Sequence, residues 1–319
     1  MSSSRRHFLA GLGAVAAAAS VPGSAARALA GPALLYPPTD LSCFDLPLHH
    51  GAADIRIGYA AIPWKGKNQQ AIEEISALGY PGIQLLANVL DDYPDPHALK
   101  DMLEKHNLTF VALSSGTAPI DPALESKTLE THAAHAHYLH EAGGDYLQIV
   151  GPSSKGTTFT ASDYRREGKL LTEIGKRAAD YGVRTGFHNH MGTMGQTPEQ
   201  VDAILDAADP RYVKLELDVA HYVQGGGDPA AAIRKYDKRL LFLHLKDVEH
   251  ADTKNGYQFV ELGQGRVDFV AIFDALHSIH FRGWGVVELD GEKPGASRMP
   301  KESAEMSDQY LIHELGVQV

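Results

Sequence analysis

Gly186-Phe187-His188-Asn189-His190, Leu215-Glu216-Leu217-Asp218-Val219-Ala220-His221, Phe242-Leu243-His244-Leu245-Lys246-Asp247 and Val286-Val287-Glu288-Leu289-Asp290 decide the reading of this 319-residue chain. Each segment ends an apolar, strand-like run with residue types that bind divalent metals. Each gap between them holds a stretch that can be helical. Side chains at the C-terminal ends of neighbouring parallel strands converge on one mouth, and the loops above them carry specificity. One His or Asp at a strand end says little. Four such ends in series point to an enzyme.

Outward from these segments, strand-like and helix-like stretches alternate. Strands are expected at 55–60, 82–86, 109–113, 146–150, 183–187, 213–217, 240–245 and 284–287. Amphipathic stretches at 68–78, 96–106, 122–142, 162–181, 267–280 and 301–315 read as helices, with Ile72, Ile75 and Leu78 on one face of the first. Thr197-Pro198 and Asp228-Pro229 each combine an N-cap residue with a proline at the first helical position. Continuous apolar strands imply a parallel sheet covered on both faces. Eight strand–helix units with short connections favour a closed (β/α)8 TIM barrel over 55–319. No Gly-x-Gly-x-x-Gly opens an early helix, so a dinucleotide fold lacks its signature. Gly263-Gln264-Gly265 lacks a third glycine and an upstream strand, and reads as a loop bend near the barrel mouth.

Residues i and i+2 of a strand point the same way. His244 and Lys246 can therefore both face the mouth, as can His188 and His190 if their strand extends that far. Asp218 and Glu288 stand at the equivalent depth. Carboxylates with one or two imidazoles suit Mn²⁺, Co²⁺, Zn²⁺ or Mg²⁺. Such an ion can hold a carbonyl and the adjacent hydroxyl of a sugar, and stabilise the enediolate left when a base removes the α-proton. Taken singly, Asp218 also reads as a structural carboxylate, His221 as a rim cap and Lys246 as a structural ion-pair partner. His132, His135, His137 and His140 cluster on one helix and read as packing or solvated side chains on the barrel exterior.

The N-terminus opens with Arg5-Arg6, continues as a short apolar run from Ala10 to Ala19, and reaches Ala28-Leu29-Ala30. That order reads as a twin-arginine (Tat) export signal over 1–30, followed by an extension over 31–54 and a periplasmic location, with the Tat translocase as a partner during export. The run is too short and too rich in Ala and Gly to anchor the chain in a bilayer. Cys43 is the single cysteine, so no intramolecular disulfide is available. The signal holds Arg5, Arg6 and Arg27 and no acidic residue, so its removal takes the net charge from −11 to −14. That balance excludes a nucleic-acid partner, which needs clustered Lys and Arg, and suits a small neutral substrate.

At these residues the chain resembles the xylose isomerase-like TIM-barrel superfamily, from about Ile55 to Leu315, with a pattern like that of the myo-inosose dehydratase-like proteins. The resemblance is carried by Phe187-His188-Asn189-His190-Met191-Gly192-Thr193, Gln196-Thr197-Pro198-Glu199-Gln200-Val201-Asp202, Asp218-Val219-Ala220-His221, His244-Leu245-Lys246-Asp247-Val248, Leu262-Gly263-Gln264-Gly265-Arg266-Val267-Asp268-Phe269 and Gly283-Trp284-Gly285-Val286-Val287-Glu288. It implies Asp218, His244 and Glu288 as metal ligands. The family's epimerases place a glutamate base and ligand on strand five, where this chain has His188. The departure moves the expectation away from a two-glutamate epimerase and toward a dehydratase, with His188 as ligand or base. His190 and His221 match positions expected to touch substrate hydroxyls.

The leading expectation is a divalent-metal-dependent lyase of a keto-sugar or keto-polyol, with Glu288, His188 and Lys246 in catalytic roles. An isomerase or epimerase of an unphosphorylated sugar is the alternative. An endonuclease IV-like nuclease and a non-catalytic sugar-binding barrel stand behind both. The first needs early-strand histidines where Gln84 and Ser114 stand, and the intact Asp218/His244/Glu288 set disfavours the second. Unphosphorylated sugars, 3-keto-glycosides or inosose-like compounds fit export better than phosphate esters. The sequence leaves the oligomeric state, including a homo-oligomer, open.

Overall fold

The computed structural model describes residues 55–291 and 298–319. The expected export signal, the 31–54 extension and Cys43 lie outside the described residues. Eight parallel strands close a barrel: β1 (Ile55–Ala60), β2 (Gly82–Leu86), β3 (Thr109–Thr117), β4 (Tyr146–Val150), β5 (Arg184–His188), β6 (Val213–Asp218), β7 (Leu240–Leu245) and β10 (Gly283–Val287). Their order around the barrel is β1-β10-β7-β6-β5-β4-β3-β2. The (β/α)8 expectation holds, and strands five to eight of the sequence reading are indeed neighbours.

Outside the barrel run α1 (Asn68–Ala77), α2 (Val89–Asp92), α3 (Pro96–Lys105), α4 (Glu125–Glu141), α5 (Ala161–Ala179), α6 (Pro198–Ala207), α7 (Val219–Gln224), α8 (Pro229–Lys235), α9 (Phe269–Ser278) and α10 (Pro300–His313). Their starts follow capping chemistry. Thr197 accepts from the Gln200 amide, the Gln200 side chain answers the Thr197 amide, and Pro198 needs no partner there. Asp228 caps α8 in the same position before its proline. Among the described residues no helix is long and apolar enough to cross a membrane.

Three features depart from the sequence reading. The stretch expected as one helix over 122–142 opens with a 3-10 turn, Pro122–Leu124, because Asp121 caps a tight turn before α4 begins. The segment after β7 is not a plain loop but an antiparallel hairpin, β8 (Asp247–His250) with β9 (Tyr257–Val260). Gly263-Gln264-Gly265 therefore does have a strand just upstream, though the expected bend is there. Gly263 has φ +78°, and the amides of Gly263 and Gly265 both donate to Asp247 Oδ2, at 3.0 and 2.8 Å.

Two apolar layers form the core. One lies between strands and helices, with Leu113, Leu147, Phe187, Leu217 and Leu243 meeting Ile72, Leu139, Ile174, Ile204 and Phe273. The other plugs the lower barrel, where Tyr146 stacks on Phe242 at 5.1 Å beside Trp284. Gly82 is required here, since a Cβ would sit 2.6 Å from the Trp284 ring. By strand parity, the residues two positions above Tyr146 and Phe242 are Gln148 and His244, so the apolar plug gives way to polar side chains toward the mouth.

Of the four α4 histidines, His137 and His140 are exposed, whereas His132 is buried and His135 half-buried. Ser115 Oγ bridges His132 Nδ1 at 2.6 Å and His135 Nδ1 at 2.8 Å, and His132 Nε2 faces the Thr117 carbonyl at 3.3 Å. A carbonyl only accepts, so Nε2 carries the proton and Nδ1 takes the serine O–H; the serine oxygen then accepts from His135. This is packing chemistry, as expected.

Burial drives the His132 pKa down to about 4 from 6.5. Between those values the unfolded chain binds the proton and the fold does not. Stability from this group is thus complete above pH 6.5 and falls by up to about 3 kcal/mol as pH drops toward 4. Urea denaturation of the wild type and of His132→Gln is expected to show a stability gap that is widest near pH 7.5 and narrows by pH 5. A gap independent of pH would contradict this account.

Candidate active site

The mouth is built from four strand ends. Each of His188, Asp218, His244 and Glu288 is buried, and one ligand atom from each lies within 4.8 Å of the others. Barrel register brings them together: His188 pairs with Glu216, Asp218 with His244, and His244 with Val286, two residues before Glu288.

Asp218 is placed from three sides. Its amide donates to Asn189 Oδ1 at 2.9 Å, and Asn189 Nδ2 returns a bond to its carbonyl at 3.0 Å. Its Oδ1 caps α7 by accepting from the His221 amide at 2.8 Å. One carboxylate oxygen is spent on the helix, and Oδ2 is left facing the site.

His244 is placed by a layer below. Its Nε2 lies 2.9 Å from Gln84 Oε1 and 2.7 Å from Glu216 Oε1, both acceptors. Burial opposes a charge on this ring, but the Glu216 and Glu288 carboxylates hold its pKa well above the usual histidine value. Both nitrogens therefore carry protons, Nδ1 facing Glu288 Oε2 at 2.7 Å and Asp218 Oδ2 at 3.6 Å; a metal ion at Nδ1 would displace that proton. Glu216 is in turn held by Gln148 Nε2 at 2.8 Å, and Gln84 Nε2 bonds Gln148 Oε1 at 3.0 Å and Ser114 Oγ at 2.9 Å. Gln84 and Ser114 thus support the site and are not ligands.

A divalent ion fits this set. His188 Nδ1, Asp218 Oδ2, His244 Nδ1 and Glu288 Oε2 are all buried without a well-directed hydrogen bond. Ion pairs hold these atoms instead, with Lys246 Nζ within 3.0 Å of both carboxylate oxygens and His188 Nδ1 3.3 Å from Glu216 Oε1, and a divalent cation can join the same set. An imidazole that donates its other N–H to a carboxylate or carbonyl is the usual arrangement of a ligating histidine.

Lys246 stands beside the four, fully buried. Its Nζ is 3.0 Å from Asp218 Oδ2, 2.5 Å from Glu288 Oε2 and 2.8 Å from Asp290 Oδ2. Burial disfavours its charge, but these carboxylates outweigh burial and hold its pKa well above the usual lysine value. Burial likewise opposes ionised Glu288, yet His244 and Lys246 bring it to about 2. Asp218 is held well below the usual range against burial, first by Lys246. Four carboxylates, counting Glu216, against the Lys246 ammonium and the His244 imidazolium still leave a negative excess that suits a cation.

His190 and His221 stack at 3.8 Å on the open side of His188. The Met191 backbone sets their tautomers oppositely. Its N–H donates to His221 Nδ1 at 3.2 Å, so His221 carries its proton on Nε2, 3.2 Å from Asp290 Oδ2. Its carbonyl lies 2.6 Å from His190 Nδ1, which must donate, and Nε2 of His190 stands 3.7 Å from Asp290 Oδ2. The three histidines lie close enough for a metal. The protonated Nε2 of His221 makes them better suited to substrate hydroxyls. Burial brings the His221 pKa to about 4, so the ring is neutral near pH 7.

All seven residues singled out from the sequence meet here. Glu216 and Asp290 were missed as site residues although both stood in the quoted segments. Each is two residues from a candidate ligand, so strand parity was the available signal. Phe259, whose ring is 4.6 Å from His221 and 5.1 Å from Lys246 Nζ, arrives through the unforeseen hairpin and carried no signal. Asp247 is buried and serves the loop, accepting from the amides of Val248, Gly263, Gly265 and Val267.

Residues 72–310 match the model of the xylose isomerase-like TIM barrel family. The chain is 30% identical over 294 residues to an inosose dehydratase of Lacticaseibacillus casei, spanning 81% of this chain and 96% of that protein. An IOLI protein with a bound zinc atom superposes with a TM-score of 0.70 at 19% identity, over 82% of this chain and 98% of that one. An L-ribulose 3-epimerase gives a TM-score of 0.68 at 19% identity, over 82% and 95%. At such identities these two structures share the fold.

A divalent ion is expected to bind one to one and to raise the melting temperature, and a chelator to reverse both. Glu216→Gln, which removes the carboxylate behind His244, is expected to weaken metal affinity roughly 10- to 100-fold. Metal titration followed by calorimetry checks this. A wild-type protein indifferent to every divalent ion offered would sink the assignment.

Proposed function

The chain belongs to the xylose isomerase-like TIM barrel family, and from that premise we propose that it is a divalent-metal-dependent lyase that dehydrates a keto-polyol or keto-sugar by α-proton abstraction. The observation that carries this reading is the convergence of His188, Asp218, His244 and Glu288 on one point, with Lys246, His190 and His221 beside it. The similarity to an inosose dehydratase along most of both chains supports a dehydration.

When bound, the ion supplies Lewis-acid polarisation of the carbonyl and an adjacent hydroxyl. Asp218, His244 and Glu288 would hold it, with His188 as fourth ligand or neighbour; Zn²⁺, Mn²⁺, Co²⁺ and Mg²⁺ are the candidates. His188 or Glu288 takes the α-proton, breaking the C–H bond and leaving an enediolate. Lys246 stays charged at neutral pH and stabilises the developing oxyanion electrostatically. The β-hydroxyl then leaves as water, its C–O bond breaking as it takes up the proton that the base removed, passed on through Nε2 of His190, while His221 and Asp290 orient the neighbouring hydroxyls. Isomerisation or epimerisation of an unphosphorylated sugar needs the same first step and becomes the reading if exchange occurs without water loss.

Incubated with scyllo-inosose in deuterium oxide, the metal-loaded enzyme is expected to exchange the α-hydrogen faster than it completes turnover. Glu288→Gln should abolish exchange. His188→Asn should lower it by roughly 10²- to 10⁴-fold with metal retained if His188 is the base, and lose metal as well if it is a ligand. Turnover without exchange, unaffected by chelator, would overturn the mechanism.

We also propose that residues 1–30 direct export to the periplasm by the twin-arginine route, on the strength of Arg5-Arg6, the short apolar run and Ala28-Leu29-Ala30. Replacing Arg5 and Arg6 together by Lys should leave the unprocessed precursor inside the cell on fractionation. Normal processing of that variant would end the export reading.

A further inference from the structure

A cavity of about 160 Å³ opens at the barrel mouth between the loop after β1, the β8–β9 hairpin and the start of α10. Its walls include Ile62, Pro63, Phe259, Leu289 and Pro300. Of the charged groups at its edge, Lys65, Glu261 and Arg298, the last two are engaged with one another: Glu261 accepts from Arg298 Nη1 at 2.8 Å and from Ser303 Oγ at 3.0 Å. What the cavity offers a ligand is mainly hydrocarbon. A closed, wholly apolar cavity of about 150 Å³ takes up benzene, so this partly open recess has the volume for one six-membered ring.

The cavity adjoins the reaction site. Phe259 forms one of its walls and also packs against His221 and under Lys246 Nζ. Leu289 lies between Glu288 and Asp290 in the chain and faces the cavity while they serve the site. One aromatic ring separates the polar floor from the apolar recess. A bare polyol ring, hydroxylated at every position, has nothing to place there.

Resting on the keto-sugar reading above, we infer that the substrate is a keto-sugar carrying an uncharged apolar substituent about the size of one six-membered ring. The ketose ring sits over Lys246 and the four candidate ligands, and the substituent enters the recess beyond Phe259. Burying such a group favours the substituted compound by roughly 10- to 100-fold over a methyl analogue.

The test uses the metal-loaded full-length mature protein and compounds that bind without reacting. Phenyl and cyclohexyl β-D-glucopyranoside are titrated against methyl β-D-glucopyranoside by calorimetry. The two ring-bearing glucosides are expected to bind at least roughly tenfold tighter. Ile62→Trp, which fills the recess, should erase that preference and leave α-hydrogen exchange on scyllo-inosose within about twofold of wild type. Ile62→Ala, which enlarges it, should shift the preference toward the 2-naphthyl glucoside, so the test does not hang on one variant folding. Equal affinity for methyl and phenyl glucosides in the wild type, or a preference untouched by both Ile62 variants, overturns the inference. If exchange on inosose proceeds while the preference is absent, this inference fails alone. If the preference is present and exchange is absent on ketose and inosose alike, the lyase reading fails and the recess stands as an apolar-ligand site.

Discussion

The buried ammonium of Lys246 is what allows several carboxylates to share the barrel mouth. It lies within 3.0 Å of Asp218, Glu288 and Asp290, and none of these could stay ionised in such a place alone. Taking one ion out of water costs several kcal/mol even after relaxation, and the cost is met here by mutual attraction at short range. The compensation is incomplete, because Glu216 adds a fourth negative charge below. The surplus gathers where His188, His244, Asp218 and Glu288 meet, with ligand atoms within 4.8 Å of one another. A site with that surplus is suited to a divalent cation, and the chemistry proposed for it follows from that electrostatic condition.

Backbone geometry then decides what each side chain can do. Asp218 ends β6 and caps α7 at once, so one of its oxygens is committed and His221 follows three residues on, its ring over the mouth. The Met191 peptide presents its N–H to one imidazole and its carbonyl to the other. Two histidines whose rings lie 3.8 Å apart at a 39° tilt are thereby given opposite tautomers, one protonated on Nε2 toward Asp290 and one on Nδ1 toward the Met191 carbonyl. Asp247 plays a similar part for the loop above. Four amides converge on its carboxylate, and a Cβ on Gly265 would come within 2.3 Å of it. That anchor holds the hairpin and so sets Phe259 between the charged floor and the apolar recess.

Much of this was legible before any coordinate. Strand and helix positions follow from apolar periodicity and from caps such as Thr197-Pro198 and Asp228-Pro229, because those signals act over a few residues and need no distant partner. Ligating residue types at four successive strand ends likewise determine a shared mouth once a parallel barrel is granted. What the chain alone could not disclose depends on contacts between remote segments. Glu216 becomes part of the site only because register sets it against His188 and beneath His244. Ser115 becomes a bridge only because α4 packs two histidines over β3. Phe259 reaches the mouth only because β8 and β9 pair. Composition, period-two alternation and capping chemistry are local, and the sequence determined through them the barrel, its polar end and the residues gathered there. Charge state, tautomer, the support under His244 and the apolar recess depend on distances across the closed barrel, which only the tertiary structure decides.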